Sequence, residues 1–292
     1  MKSAMLVEKT EQAAATNFTE TLREPIRMIS SNLITYIDEF VFKGRQGLSV
    51  LDMGPQNAIN LTPEYIADFL NRYGHAESQA IMLELAQKFH DSSMIKPGIR
   101  TLFLGEVMDH TTHEYLSIDV CPGHNTTIVD LNKAPIPESF RQRFDLVLNL
   151  GTTEHIVNQF NSFAAIHEAT KIDGYMLHQV PSAGWYDHGY FCYHPLFFKD
   201  IVAANDYELL DMFWTPAQPH WLKDVEIPIR EEMRPFDKST DMRTTHYGEG
   251  LLPTFNINVL AKKTNNAPFK VALEIATTHA QLDPEISKSY SK

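Results

Sequence analysis

The chain has 292 residues, 43% of them hydrophobic and 21% charged, with a net charge of −12 and a pI near 5.5. That is material for one large core with decorations, and the acidic balance argues against a duplex nucleic-acid partner, since phosphate binding needs a basic surface. No apolar run approaches the ~20 residues of a membrane span, no signal-peptide core follows the N-terminus, and two cysteines, Cys121 and Cys192, suggest no disulfide framework. A cytoplasmic protein with no membrane partner is expected.

In chain order, Ile26, Ile29, Leu33, Ile37 and Phe40 form an apolar stripe that predicts a helix from Pro25 to about Phe42. Its use as a cover for the sheet edge or as a homodimer contact is open. Gly44 to Gly47 is a turn, and Leu48 to Met53 reads as the first long strand. Some 60 residues then separate it from the next strand, far more than a crossover needs. Thr62-Pro63-Glu64 starts a helix carrying Tyr65, Ile66, Phe69 and Leu70, and a second pattern follows with Ile81, Met82, Leu85 and Phe89. Arg100 to Asp109 is ambiguous, since RTLFLG also fits a strand, and a helix leading into the second strand is favoured; these helices are expected to cap a pocket. Tyr115 to Val120 and Thr126 to Leu131 are strands, the first ending near Asp119 and the second in Asp130-Leu131.

Leu146 to Leu150 is a short apolar run, too brief for a helix and read as a buried strand. The turn Gly151-Thr152-Thr153-Glu154-His155 follows. Phe160, Phe163 and His167 then recur at helical spacing, and Gly174 is the expected left-handed residue that ends the helix. Tyr175 to Val180 is a second strand, closed by Pro181. Strand, helix, strand with short links implies a parallel sheet, whose ligands sit at the carboxyl ends of its strands. Beyond Pro181, residues 182–195 concentrate aromatic, histidine and carboxylate side chains. Leu196 to Asn205 reads as a helix, and Tyr207 to Trp214 and Thr254 to Ala261 as strands, with a polar insertion at 215–253 as a lid. After Lys263 one weak helix, Val271 to His279, is expected.

Five of these features in order resemble class I S-adenosylmethionine-dependent methyltransferases. They are Asp52-x-Gly54, the strand-end Asp119, Asp130-Leu131, FDLVLNLGTTEH at 144–155, and a glycine-ended turn before DGYMLHQVP. The resemblance implies a doubly wound, seven-stranded, mostly parallel α/β sheet with an antiparallel last strand, plus N-terminal helices and a helical insertion. It divides the chain into a helical segment 1–47, an α/β domain 48–263 with insertions at about 62–98 and 215–253, and an extension 264–292. It implies S-adenosyl-L-methionine as cofactor, with Asp119 on the ribose, Asp130 and Leu131 at the adenine, and Asp52, Gly54 and Asn149 at the amino-acid end, beside Gly151. Of the family's glycine loop only Gly54 survives, followed by Pro55, so donor binding must lean more on Gln56 and Asn57.

The acceptor is expected at the 182–195 loop, under the 215–253 lid. His155, Tyr186, His188 and His194 are candidate catalytic groups, because imidazole titrates near neutrality. Trp185, Asp187 and Tyr193 are candidate substrate contacts. The plainer possibilities are that His155 caps a helix and that the Tyr/His-rich loop only packs against the lid. His110 and His113, or His188 and His194 with Asp187 and Cys192, offer ligand types, but their spacing matches no common zinc motif and no metal is expected. The expected function is methylation of a small molecule. Alternatives are a nucleoside-ligand-binding protein that does not methylate, a partner subunit with a degenerate fold, and an NAD oxidoreductase. The last lacks its G-x-G-x-x-G turn.

Overall fold

The computed structural model describes residues 28–59, 61–76, 81, 84–85, 102–185, 188–216, 234–235, 255–274 and 283–290. Strand β1 (Met28–Ser30) leads into helix α1 (Ser31–Ile37), which runs on as a π-helical turn, Asp38–Phe42. Strands β2 (Ser49–Asp52) and β3 (Asn57–Ile59), helix α2 (Pro63–Tyr73) and helix α3 (Leu104–Met108) follow. Then come β4 (Glu114–Asp119), β5 (Thr126–Ile128), β6 (Phe144–Leu150), helix α4 (Gln159–Ala169) and β7 (Thr170–Ala183). The chain continues through α5 (Pro195–Ala204), β8 (Glu208–Pro216), β9 (Arg234–Pro235), β10 (Phe255–Lys262) and α6 (Pro284–Tyr290).

The main sheet has the order β5-β4-β2-β6-β7-β10-β8-β9. The pairs from β5 to β7 are parallel, whereas β10 lies antiparallel between β7 and β8. Without the two-residue β9, the seven main strands read 3-2-1-4-5-7-6 in chain order, the antiparallel closing hairpin included. This is the α/β sheet that the resemblance implies. Side chains alternate across it, as strand geometry requires. Val50, Leu146, Leu148, Leu177, Phe213 and Leu260 pack with α1, α2 and α3 on one face. Leu51, Val147, Met176, Val180, Ile257 and Val259 pack with α4 and α5 on the other. Burial on both faces is why β6 is apolar apart from Asp145 and Asn149. No helix among the described residues is long and apolar enough to cross a membrane.

Several local expectations are corrected. The predicted helix from Pro25 does not reach back past Ser31: Met28–Ser30 is extended, paired in parallel with Asn57–Ile59, and Pro25 and Ile26 lie outside the described residues. Ser30 starts the helix instead, its Oγ accepting the Leu33 N–H at 3.3 Å. Gly174 is not the left-handed residue after α4; Asp173 takes that conformation, with φ 63°. Gly174 serves close packing, since a Cβ there would sit 2.9 Å from Thr170 Cγ2 and 3.0 Å from the Phe144 carbonyl. Strand β7 does not stop at Pro181 but runs on to Ala183, and the ladder tolerates the proline beside an irregularity at Phe255/Asn256 of β10.

The third strand is shorter than expected, ending at Ile128. Of the expected helix Val271 to His279, residues 271–274 are not helical and 275–279 lie outside the described residues; a helix is present at Pro284–Tyr290. Helix α2 packs on a sheet face, and its Tyr73 ring meets His113 at 5.0 Å, beside the start of β4. Most of the 62–98 insertion beyond α2, and nearly all of the 215–253 lid, lie outside the described residues.

The segment after β10 is tied into the domain. Buried Lys263 donates from Nζ to the His167 and Thr170 carbonyls at 2.7 and 2.9 Å, satisfying acceptors left at the end of α4. His167 bridges the Tyr207 hydroxyl and the Ala267 carbonyl at 2.6 and 2.8 Å.

Three histidines are held neutral by burial. Desolvation pushes His178 down to about 3; desolvation and then Arg45 push His113 down to about 4; desolvation and then Lys263 push His167 down to about 4. Unfolding returns each to about 6.5, so below that pH the unfolded chain binds more protons and the fold is disfavoured. The urea midpoint is therefore expected to be flat above pH 7 and to fall steadily from about pH 6.5 to about pH 4. A midpoint unchanged from pH 7 to pH 4.5 would contradict neutral burial of these rings.

Candidate functional site

The carboxyl edge of the sheet gathers most of the residues that the sequence singles out. The loop after β2 is folded on itself. Asp52, fully buried, accepts the Tyr115 hydroxyl at 2.8 Å, the Gln56 N–H at 3.2 Å and the Gly54 N–H at 3.4 Å. Burial, with Asp52 beside it, holds the Tyr115 phenol well above its ordinary value, so it stays a donor. Gln56 donates from Nε2 to the Gly54 carbonyl at 2.9 Å and to the Leu150 carbonyl at 2.8 Å. That second bond ties the loop to the end of β6. Asn57 lies in β3, paired with Met28 and bridged to Phe103.

Asp119 ends β4, nearly buried, and its Oδ1 accepts the Cys121 N–H at 2.9 Å. Asp130 accepts the Asn132 N–H at 3.0 Å and pairs with Lys133 at 3.1 Å. Those hydrogen bonds hold its carboxyl below the ordinary carboxylate value, the Lys133 bond counting first. Leu131 is buried in the core with Ile136 and Phe140.

Asn149 at the end of β6 is wholly buried and organises the next turn. Its Oδ1 accepts the Thr153 N–H at 3.2 Å; its Nδ2 donates to Thr153 Oγ1 at 3.0 Å and to His178 Nδ1 at 3.1 Å. Gly151 supplies a left-handed residue, φ 71°, and its N–H reaches the Gln179 carbonyl at 2.9 Å. The result is a single 3-10 turn, Thr153–His155, that carries Glu154 inward.

Glu154 is the residue that sequence reasoning passed over in favour of its neighbour. Its side chain is 0% exposed, and neither carboxylate oxygen has a hydrogen-bond partner among the described residues. His188 Nε2 stands 3.6 Å and His155 Nε2 3.9 Å from Glu154 Oε1. The two imidazoles meet edge to face at 4.8 Å, and Trp185 covers His188 at 4.8 Å while donating from Nε1 to the Phe255 carbonyl at 3.2 Å. An adjacent Glu-His pair at a strand end was the available signal; its partner His188 arrives from the connection after β7, which no local pattern reveals.

The connection is docked by main chain. The Tyr190 N–H donates to the Glu154 carbonyl at 2.7 Å, and Gly189, with φ 70°, lies so close that a Cβ would stand 2.9 Å from Glu154 Cγ. Tyr193 is structural in its contacts: its hydroxyl donates to Gln159 Oε1 at 2.7 Å, its ring packs on Phe163 and Phe197, and burial first, then Glu154, raises its phenol far above the ordinary value. His194 caps α5 as an exposed residue and stands apart from the Glu154 group. Tyr186 and Asp187 lie outside the described residues.

The strand order decides the architecture. The fold is that of class I methyltransferases. Among solved structures, a Burkholderia thailandensis 1,6-didemethyltoxoflavin-N1-methyltransferase matches 90% of this chain and 89% of its own, at 12% identity and a TM-score of 0.37. The YcgJ protein of Bacillus subtilis matches 81% and 99% respectively, at 12% identity and a TM-score of 0.40. A SAM-dependent methyltransferase of Archaeoglobus fulgidus matches 85% and 99%, at 13% identity and a TM-score of 0.38. Scores this low add nothing to the strand order, on which the fold rests. No protein-family model and no curated protein matches the chain.

Gly189→Ala is expected to destabilise the protein by about 1–3 kcal/mol, because it combines a left-handed backbone with a clash against Glu154. Urea unfolding with an unchanged slope and a lowered midpoint would show it; an unchanged midpoint would mean that the loop is not held as described.

Proposed function

We propose that the chain is an S-adenosylmethionine-dependent methyltransferase acting on a small molecule. The observation that carries this reading is Asp119: a nearly buried acid at the carboxyl end of the second main strand, beside the central strand β2. In nucleotide-binding sheets of this kind an acid there accepts hydrogen bonds from ribose hydroxyls. With Oδ1 steadied by the Cys121 N–H, the carboxylate is oriented before a ligand arrives. Asp130 and Leu131 follow at the end of β5, the expected adenine side, and Asn149 and Gly151 stand at the end of β6.

The acceptor would lie against His155, His188 and Trp185. A methyl transfer needs the nucleophile held in line with the sulfonium, and an imidazole within reach to take its proton. His155 and His188, both half-buried, suit that role better than exposed His194. The net charge of −12 favours a neutral or cationic acceptor over nucleic acid.

The folded-in β2 loop favours a second reading. Asp52 and Gln56 spend hydrogen bonds on the loop, on Tyr115 and on Leu150, which suits a protein that binds a nucleoside ligand without methylating or that serves as a partner subunit.

Calorimetric titration with S-adenosylmethionine and S-adenosylhomocysteine separates these readings. Micromolar binding is expected, weakened roughly 10- to 100-fold in Asp119→Asn, which loses hydrogen bonds to a charged acceptor. Absence of binding to folded protein would remove the methyltransferase reading and the nucleoside reading together. Binding without donor turnover across an acceptor panel would favour the second reading.

A further inference from the structure

We propose that Glu154, His155 and His188 form a binding site for a divalent first-row transition metal. Each offers one ligand atom, and the three atoms lie within 4.8 Å of one another. Burying a carboxylate with no hydrogen-bond donor is costly unless a cation is brought to it. Glu154 is such a group: wholly buried, both oxygens without a hydrogen-bond partner among the described residues, one of them turned towards two imidazoles.

The distances exclude direct hydrogen bonds between the imidazoles and the carboxylate and leave room for an ion between them. Hydrogen bonds from imidazolium to carboxylate span about 2.7–3.2 Å. Here the separations are 3.6 and 3.9 Å, wider than such a bond. They lie near the ~3.4 Å edge of a tetrahedron built around an ion about 2.1 Å from its ligands. The third edge, between the two imidazole nitrogens, is no longer than 4.8 Å, and half-buried rings can turn to shorten it.

The donor set narrows the ion. Magnesium and calcium prefer oxygen ligands, whereas two imidazoles and one carboxylate suit zinc, cobalt, manganese or iron. Spacing gave no hint of this, because two ligands are adjacent at the end of β6 and the third comes from the connection after β7. The fold supplies the meeting: Asn149 fixes the turn that carries Glu154 and His155, and the Gly189 approach with the Tyr190 hydrogen bond brings His188 onto it. Three protein ligands leave at least one coordination position for water. With an ion bound, His155 and His188 serve as ligands and no longer as bases; that the open position then takes a heteroatom of the acceptor rests on the methyltransferase reading, whereas the metal site does not.

The test uses the full chain, freed of metal with a chelator, and titrates it with cobalt(II) alone. The expected result is an intense visible absorption of a four- or five-coordinate ion, saturating at one equivalent. Zinc should displace it. Glu154→Gln and His188→Ala should each weaken cobalt binding at least tenfold while circular dichroism stays native. A cobalt spectrum that remains that of the hydrated ion overturns the proposal, as does binding that both variants leave unchanged. Should Glu154→Gln fail to fold, His188→Ala, at a half-exposed position, decides alone. Cobalt binding without S-adenosylmethionine binding would sink only the proposed function, and the reverse would sink only the metal site.

Discussion

A parallel sheet covered on both faces has only its strand ends to offer a ligand. The apolar layers around β2, β6 and β7 exclude water from the interior, so every polar group brought there must find a partner in the protein or at the carboxyl edge. The rest of the structure follows from that requirement. Loops at the edge are built from side-chain amides and carboxylates that reach back to main chain, because little else can satisfy buried turns.

Two such devices shape the edge. Around β2, Asp52, Gln56 and Tyr115 hold a short, glycine-poor loop closed and link it to Leu150. Around β6, Asn149 serves both Thr153 and the ring of His178, which burial between Phe163 and Phe198 keeps uncharged. In a medium of low dielectric these satisfied networks rigidify the edge. Glu154 stands out in the same region, because neither of its carboxylate oxygens has a hydrogen-bond partner among the described residues, and it sits where two imidazoles converge. A carboxylate held by rigid neighbours cannot relax towards solvent, which is what makes its surroundings chemically informative.

The two halves of the candidate site differ in character. The Asp119 and Asp130 side is made of strand ends with local hydrogen bonds, set by short-range geometry. The Glu154 side depends on a chain crossing: Gly189 and Tyr190 pack on the turn after β6, and Trp185 is anchored to β10. The two sides proposed for nucleoside and acceptor therefore rest on separate supports, and a change in one need not disturb the other.

Much was legible in the residues themselves. Apolar runs flanked by turns marked β2, β4, β6, β7, β8 and β10, and helical stripes marked α2, α4 and α5, because burial on one or both faces imposes its period on sequence. The order of those elements, with Asp119 and the 144–155 motif, pointed to the sheet topology. What the residues could not show was whatever depends on contacts between distant segments. The extended start at Met28–Ser30 exists because Asn57–Ile59 lies beside it. Asp173 adopts the left-handed conformation, and the glycine at 174 is required instead by Thr170 and Phe144, which leave no room for a Cβ there. The grouping of Glu154 with His188 arises only where two connections meet at the sheet edge. Periodicity records which face a residue buries; only the packed chain decides which neighbour it meets there, since that depends on strand order, register and the close approach of loops.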